Sequence, residues 1–267
     1  MSSYAKRRFI SRHRRLLIIV VHLLPLPGSP RWGGNFKKVV RRALDDAQAS
    51  VDGGADAIVI ENFGDVPFHK DEVPAETTTA MAVVGAAVRE SVKLPIGFNV
   101  LRNDGRAALA LCGSCGGDFI RVNVLCGAMV TDQGIIEGCA CTVTRLRPEL
   151  APNAKILADV HVKHGSPLAN VPLETAARDT VERGLADALI VSGIGTGQAT
   201  SLDDVKRVRS ACPQVPILIG SGVTAANSAS YLQFADGVIV GTWVKRAGRL
   251  TNPVDRNRVA ALRKAIG

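Results

Sequence analysis

A chain of 267 residues with 46% hydrophobic and 21% charged residues has the length and balance of one ordinary soluble globular domain. Aromatics make up only 4%, so Val, Ile, Leu and Ala must fill the core, as in parallel strands covered by helices. The +9 net charge belongs to one end: the first 44 residues carry 11 Lys/Arg and no acid, and the remainder holds 22 basic against 24 acidic residues, which excludes a uniformly basic nucleic-acid-binding body.

The basic leader ends at Arg14-Arg15, and Leu16 to Leu26 (LLIIVVHLLPL) follows. This run is too short to span a membrane, contains His22 and leads into PLPGSP rather than a small-residue cleavage site, so it reads as a first strand, Leu16 to Val21. A Pro- and Gly-rich loop precedes a helix over Phe36 to Asp52. A strand over Ala57 to Ile60 closes in Glu61-Asn62, and a helix covers Ala75 to Val92. The third strand, Ile96 to Val100, leads through Asn103 or Asp104 as N-cap into a helix over Arg106 to Cys115. The fourth strand, Phe119 to Val122, ends at Asn123. A long loop carrying Thr131, Asp132 and Gln133 separates it from a helix near Cys139 to Leu146 and has the length of a lid. Lys155 to Val160 forms the fifth strand, with His161, Lys163 and His164 beyond it, and a helix over Leu173 to Arg183 follows. The sixth strand, Ala188 to Val191, ends in Ser192-Gly193 and leads to a helix over Leu202 to Cys212. Gly54-Ala55-Asp56, Gly116-Gly117-Asp118 and Gly184 to Asp187 each read as a helix C-cap leading into the next strand.

The last two strands end in glycine: Pro216 to Ile219 in Gly220-Ser221-Gly222, and Gly237 to Val240 in Gly241-Thr242, with a small-residue helix between them and a final helix over Val254 to Ile266. Paired glycine-rich strand ends bring backbone N–H groups side by side, as where the seventh and eighth strands of a (β/α)8 barrel hold a phosphate. The plainer alternative is that these glycines only make tight turns. Eight βα units without a composition break predict a single (β/α)8 TIM barrel of the phosphate-binding type over residues 16–267, preceded by a flexible basic arm, residues 1–15.

Polar residues at the C-terminal ends of barrel strands are the functional candidates. Strand alternation puts Asp159, His161 and Lys163 on one face, and Arg121 with Asn123 on another. Glu61, Asp159 and His161 have acid–base chemistry and are the candidate ligands of a divalent metal, although no bound cofactor is expected. Arg121 is the fourth catalytic candidate. As a buried charge it needs a carboxylate partner, Glu61 or Asp159. His22, Asn99, Asn123, Asp132, Lys163 and Ser192 are the substrate-binding candidates, with a core histidine bonded to a carbonyl as the alternative for His22. The six cysteines, among them Cys112-Gly-Ser-Cys115, lie in small-residue stretches and read as packed free thiols.

HLLPLPGSPRWGG, IENFGDVPF, LPIGFNVLRND, DFIRVNVLCGAMVTDQGIIEG, ILADVHVKH and the IGSGV…DGVIVGT pair resemble the BtpA/SgcQ family from Leu16 to Pro253. The resemblance implies a TIM barrel close to phosphate-binding barrels. The family takes its name from a cyanobacterial member linked to photosystem I accumulation, while a relative among sugar-metabolism genes agrees with a phosphosugar. Two functions are therefore expected as alternatives. One is an enzyme acting on a sugar phosphate or nucleoside-derived phosphate, gripped by Gly220, Ser221, Gly222, Gly241 and Thr242. The other is a non-catalytic assembly factor whose basic arm, residues 6–15, touches an acidic membrane surface. The cytoplasm is the expected compartment. The Arg-rich, acid-free leader also fits an organelle transit peptide. Nucleic acid is the weakest partner class, and a homo-oligomer is compatible with the sequence.

Overall fold

The computed structural model describes Ile10 and residues 15–267, so the basic arm lies, apart from Ile10 and Arg15, outside the described residues. Strands β1 (Leu16–His22), β2 (Ala57–Glu61), β3 (Ile96–Asn99) and β4 (Phe119–Val122) alternate with helices α1 (Phe36–Asp52), α2 (Ala75–Ser91) and α3 (Gly105–Ser114). A hairpin, β5 (Ala128–Thr131) and β6 (Gly134–Glu137), precedes α4 (Ala140–Leu150). Next come β7 (Lys155–Val160), a short β8 (Gly165–Pro167), α5 (Leu173–Glu182), β9 (Ala188–Val191) and α6 (Leu202–Ala211). The chain closes with β10 (Ile217–Ile219), a single turn α7 (Ser228–Tyr231), β11 (Gly237–Val240) and α8 (Arg256–Ile266). The order β1-β11-β10-β9-β7-β4-β3-β2, parallel throughout, is a closed eight-stranded TIM barrel.

Alternation along each strand sorts the core into two regions. Leu17, Ile19, Val21, Ile58 and Ile60 face the helices, whereas Leu16, Ile18, Val20, Ala57, Val59 and Phe119 fill the barrel interior with the matching residues of β7 to β11. The Phe119 ring lies over Gly97, its partner on the adjacent strand β3. A Cβ on Gly97 of β3 would stand 2.2 Å from its ring, so glycine is required there. Helix α1 buries Val39, Ala43, Asp46, Ala47 and Ser50 along one stripe, and Asn35 caps it by accepting from the Lys38 N–H at 3.0 Å. Asp104 caps α3 through the Ala107 N–H at 2.8 Å. Asn103 instead binds both backbone groups of Val124, at 2.9 and 2.8 Å, bridging β3 to the end of β4.

The closed end of the barrel carries a fourfold repeat. Asp56, Asp118, Asp187 and Asp236 precede every second strand of the barrel, β2, β4, β9 and β11, and each accepts at Oδ2 from the backbone N–H at the start of the preceding barrel strand. The acceptor distances are 2.8 Å to Leu17, 3.0 Å to Ile96, 2.9 Å to Ile156 and 2.9 Å to Ile217. Each aspartate N–H returns the bond to the carbonyl of the same residue. An arginine from an even-numbered helix completes each joint: Arg263 of α8 with Asp56, Arg89 of α2 with Asp118, Arg147 of α4 with Asp187, and Arg209 of α6 with Asp236. Asp56 and Asp118 belong to Gly-x-Asp signals, and Asp187 to a Gly-x-x-Asp one, that mark where helices give way to strands.

Two expectations change at the open end. The long loop after β4 is a hairpin that β8 extends into a three-stranded antiparallel sheet, with Thr131, Asp132 and Gln133 at its tip. The helix expected after Gly222 shrinks to one turn, because the Asn227 side chain ties the preceding segment: its Oδ1 accepts from Thr224 N–H at 2.8 Å and its amide donates to the Gly222 carbonyl at 2.9 Å. Among the described residues, no helix is long and apolar enough to cross a membrane.

Candidate functional site

Above the apolar interior, the next inward positions are polar: Glu61 on β2, Asn99 on β3, Arg121 on β4 and Asp159 on β7, with Ser192 just past β9. Arg121 and Asp159 form a bidentate pair, Nε to Oδ2 at 2.9 Å and Nη2 to Oδ1 at 2.8 Å, with side chains 2% and 0% exposed. Burial opposes the Arg121 charge, but Asp159 and Glu61 outweigh it. Ser192 donates to Asp159 Oδ1 at 3.0 Å, and the Asn123 amide approaches Oδ2 at 3.4 Å. Asn99 donates to the Arg121 carbonyl at 3.1 Å and to Asn123 Oδ1 at 2.9 Å, leaving its own Oδ1 buried without a partner. Of the two carboxylates open to Arg121 from sequence, Asp159 is thus the one that binds it. Both its oxygens are occupied, and Asp159 lines neither of the two cavities of the mouth.

Glu61 lies at the junction of both cavities. His22 Nε2 stands 3.5 Å from its Oε1. Burial raises the carboxyl, but the His22 hydrogen bond and the charges of Lys163 and Arg121 overcome this and hold it at about 2. His22 is itself pushed below its ordinary value by burial, so at neutral pH a neutral ring donates to a carboxylate; its Nδ1 is buried without a partner. Lys163 also borders both cavities. Burial and the Arg121 charge lower its ammonium to about 8, against the opposing pull of Glu61 and Asp159. Buried Arg102, which donates to the Lys163 carbonyl, fixes the backbone there.

The first cavity, about 150 Å³, is the glycine-rich one. Gly220, Ser221, Gly222, Gly241 and Thr242 line it together with Thr196, Gly197, Arg121 and Lys163. The backbone N–H groups of Ser221, Gly222, Gly241 and Thr242 donate no hydrogen bond to any described residue. The Ser221 hydroxyl is already committed: it accepts from Gly193 N–H at 2.6 Å and donates to the Gln198 carbonyl at 3.0 Å, which leaves the backbone as this residue's contribution. Gly222, at φ +67°, passes so close to the 193–200 loop that a Cβ would meet the Gln198 carbonyl oxygen at 2.3 Å. A Cβ on Gly241 would meet the His22 ring at 2.5 Å.

The second cavity, about 600 Å³, adjoins the first through Glu61, Lys163 and Thr196. Phe63, Val66, Phe68 and Leu101 form its apolar wall, and Arg102, Asn123, Asp132 and His164 its polar side.

His161 does not join this group. Strand β7 ends at Val160, and His161 turns to φ +51°, which breaks the alternation that would have aimed it with Asp159. The charges acting on it are Asp204 and Arg207 of α6, and burial lowers its ring. The trio Glu61, Asp159 and His161 is therefore not assembled as a ligand set, and among the described residues no three His, Cys, Asp or Glu side chains form a metal-binding group. Lys163 returns to the mouth because the chain beyond β7 is irregular rather than because it shares a strand face with Asp159. Phe63, Phe68 and Thr196 had no role in the sequence reading. Thr196 could have been found from the IGTGQ stretch, a third glycine-rich strand end. All six cysteines are free. Burial pushes the Cys112 and Cys139 thiols up to about 12, the behaviour of inert packing residues.

An uncharacterised protein of Pyrococcus furiosus is 49% identical over 252 residues, covering 93% of this chain and 94% of the relative. The photosystem I biogenesis protein BtpA of Synechocystis is 47% identical over 250 residues, covering 94% and 87%. Among solved structures, thiamine phosphate pyrophosphorylase from Pyrococcus furiosus superposes with a TM-score of 0.58 at 16% identity, covering 96% of each chain, a likeness of fold. The family model of the BtpA family matches residues 13–267, and the chain belongs to that family.

Proposed function

We propose that this protein is an enzyme acting on a phosphorylated small molecule at the mouth of its barrel. The observation that carries the reading is a set of four residues, Ser221, Gly222, Gly241 and Thr242, that line a cavity with backbone N–H groups bonded to no described residue, while its other walls hold Arg121 and Lys163. N–H donors without an acceptor among the described residues, beside two cations, suit a phosphate dianion. Next to this grip stand two groups whose protonation behaviour has been driven apart, a pattern typical of acid–base assignments. Glu61 stays ionised across the physiological range and supplies fixed negative charge for a developing cation, such as an oxocarbenium centre. Lys163, near 8, is close enough to neutrality to give and take a proton. Asp159 acts through Arg121, holding the guanidinium in place.

Thermal denaturation with inorganic phosphate, ribose 5-phosphate and ribose tests the reading. Ligands that bind only the native state raise the melting temperature. Phosphate and the sugar phosphate should do so, ribose should not, and an equal response to all three would refute the grip. A second reading, a non-catalytic assembly factor, draws on the name of the Synechocystis relative. The structural observation in its favour is an exposed apolar pair, Val130 and Ile135, directly opposite each other on the hairpin, with Leu168 exposed just beyond β8. Deletion of residues 2–15 with unchanged membrane or partner association would remove the arm from that reading.

A further inference from the structure

The larger cavity is not explained by a phosphate and a small sugar. Its volume of about 600 Å³ falls within the ~300–1,000 Å³ typical of sites for drug-sized ligands, four times the space beside the glycine grip. Its wall is aromatic in a chain with only seven Phe. Phe63 and Phe68 stand edge-on, ring centres 6.2 Å apart, and Phe63 leans on the His22 ring at 4.8 Å.

This wall is built rather than loose. The 3-10 turn Phe63–Asp65 that carries Phe63 follows β2 directly. Asp65 accepts from the Leu26 N–H at 2.8 Å, and Asn62 accepts from the Leu101 N–H at 2.7 Å, tying the turn to the loops on either side. In the same cavity lining, Arg102 offers donors and Asp132 acceptors, the mixture that the edge of a heterocycle requires.

We infer that this cavity receives the planar ring of a nucleoside-type monophosphate, with the phosphate in the glycine grip and the ring against Phe63 and Phe68. The inference rests on the phosphate reading and narrows it from any sugar phosphate to one bearing an aromatic heterocycle. The two cavities meet at Glu61 and Lys163, so the bond joining ring to sugar lies over those two side chains.

Calorimetric titration of wild type, Phe68→Ala and Phe68→Leu with ribose 5-phosphate and with the four ribonucleoside 5′-monophosphates tests it. Circular dichroism checks that both variants fold. At least one nucleotide should bind wild type tenfold or more tightly than ribose 5-phosphate. Phe68→Ala should cost that nucleotide about tenfold through lost stacking while ribose 5-phosphate is unchanged, and Phe68→Leu should fall between. If all four nucleotides bind no better than ribose 5-phosphate, or if Phe68→Ala weakens both ligands equally, the ring site is overturned and the phosphate reading survives. If neither ribose 5-phosphate nor any nucleotide binds, the phosphate reading fails and the inference with it.

Discussion

Replacing Asp159 by Ala tests the energetic centre of the mouth. The substitution removes the bidentate partner of Arg121 at 2.9 and 2.8 Å and leaves a guanidinium 2% exposed. Removing one partner of a buried pair costs about 3–5 kcal/mol, because the remaining charge is desolvated and unpaired. Glu61 also acts on Arg121 and keeps part of the compensation, which favours the lower half of that range. Unfolding entropy of about 2.1 cal/mol/K per residue over 267 residues gives roughly 0.56 kcal/mol/K, so the melting temperature should drop by about 5–7 °C. The double variant Arg121→Met/Asp159→Leu removes both charges together and should recover at least half of the loss. Urea denaturation of the wild type, the single variant and the double variant completes the measurement. A single variant that loses less than about 1 kcal/mol, or a double variant no more stable than the single, would refute the argument that the pair is held by mutual need.

Four further outcomes follow from the same geometry. Gly222→Ala forces an L-residue to φ +67° and drives a Cβ against the Gln198 carbonyl, so it should cost about 1–2 kcal/mol from backbone strain alone. It should also abolish the thermal shift with phosphate; a retained shift would place the anion elsewhere. After reductive methylation with ¹³C-formaldehyde, one lysine resonance, assigned by Lys163→Met, should titrate near 8 rather than near 10.5. Between those values the unfolded chain binds the proton more tightly, so this group's contribution to stability rises with pH through that window. The Glu61 carboxyl, at about 2 against an ordinary 4.5, contributes stability that is complete above 4.5 and lost as pH falls towards 2; Glu61→Gln should flatten acid denaturation in that interval. Asp46→Ala strands Lys245, since the two side chains are fully buried and bonded at 2.9 Å, and should destabilise by about 3–5 kcal/mol in chemical denaturation.

Much of the fold was legible because a closed parallel barrel repeats one rule. Strand spans such as Phe119–Val122, Lys155–Val160, Ala188–Val191 and Gly237–Val240 stand out as short apolar runs, and α1 as a 3.6-residue stripe. The hairpin was not legible. Its strands are four residues each, and the sheet is completed by Gly165–Pro167, more than 25 residues further on. The site was legible as a set of strand ends but not as an arrangement. A single left-handed residue, His161, redirects one side chain, and no periodicity signals it. Ser221 and Asp159 have the right chemistry but spend their side chains on protein partners, a fact set by distances across the barrel. Lys163 was visible as a candidate. Its lowered ammonium depends on Arg121 standing nearby, 42 positions away in sequence.

The four joints at the closed end make the barrel a hoop. Each pair of strands is latched to itself by an aspartate and hooked to the next pair by an arginine, and Arg263 on Asp56 links the last pair back to the first. Tension in a hoop runs around its circumference, and none of the four joints contains a residue of the opposite rim. The foundation of this protein is therefore indifferent to its mouth. Loops around Phe63, the hairpin tip or Thr196 can be exchanged for others that suit a new ligand without loosening the ring beneath them.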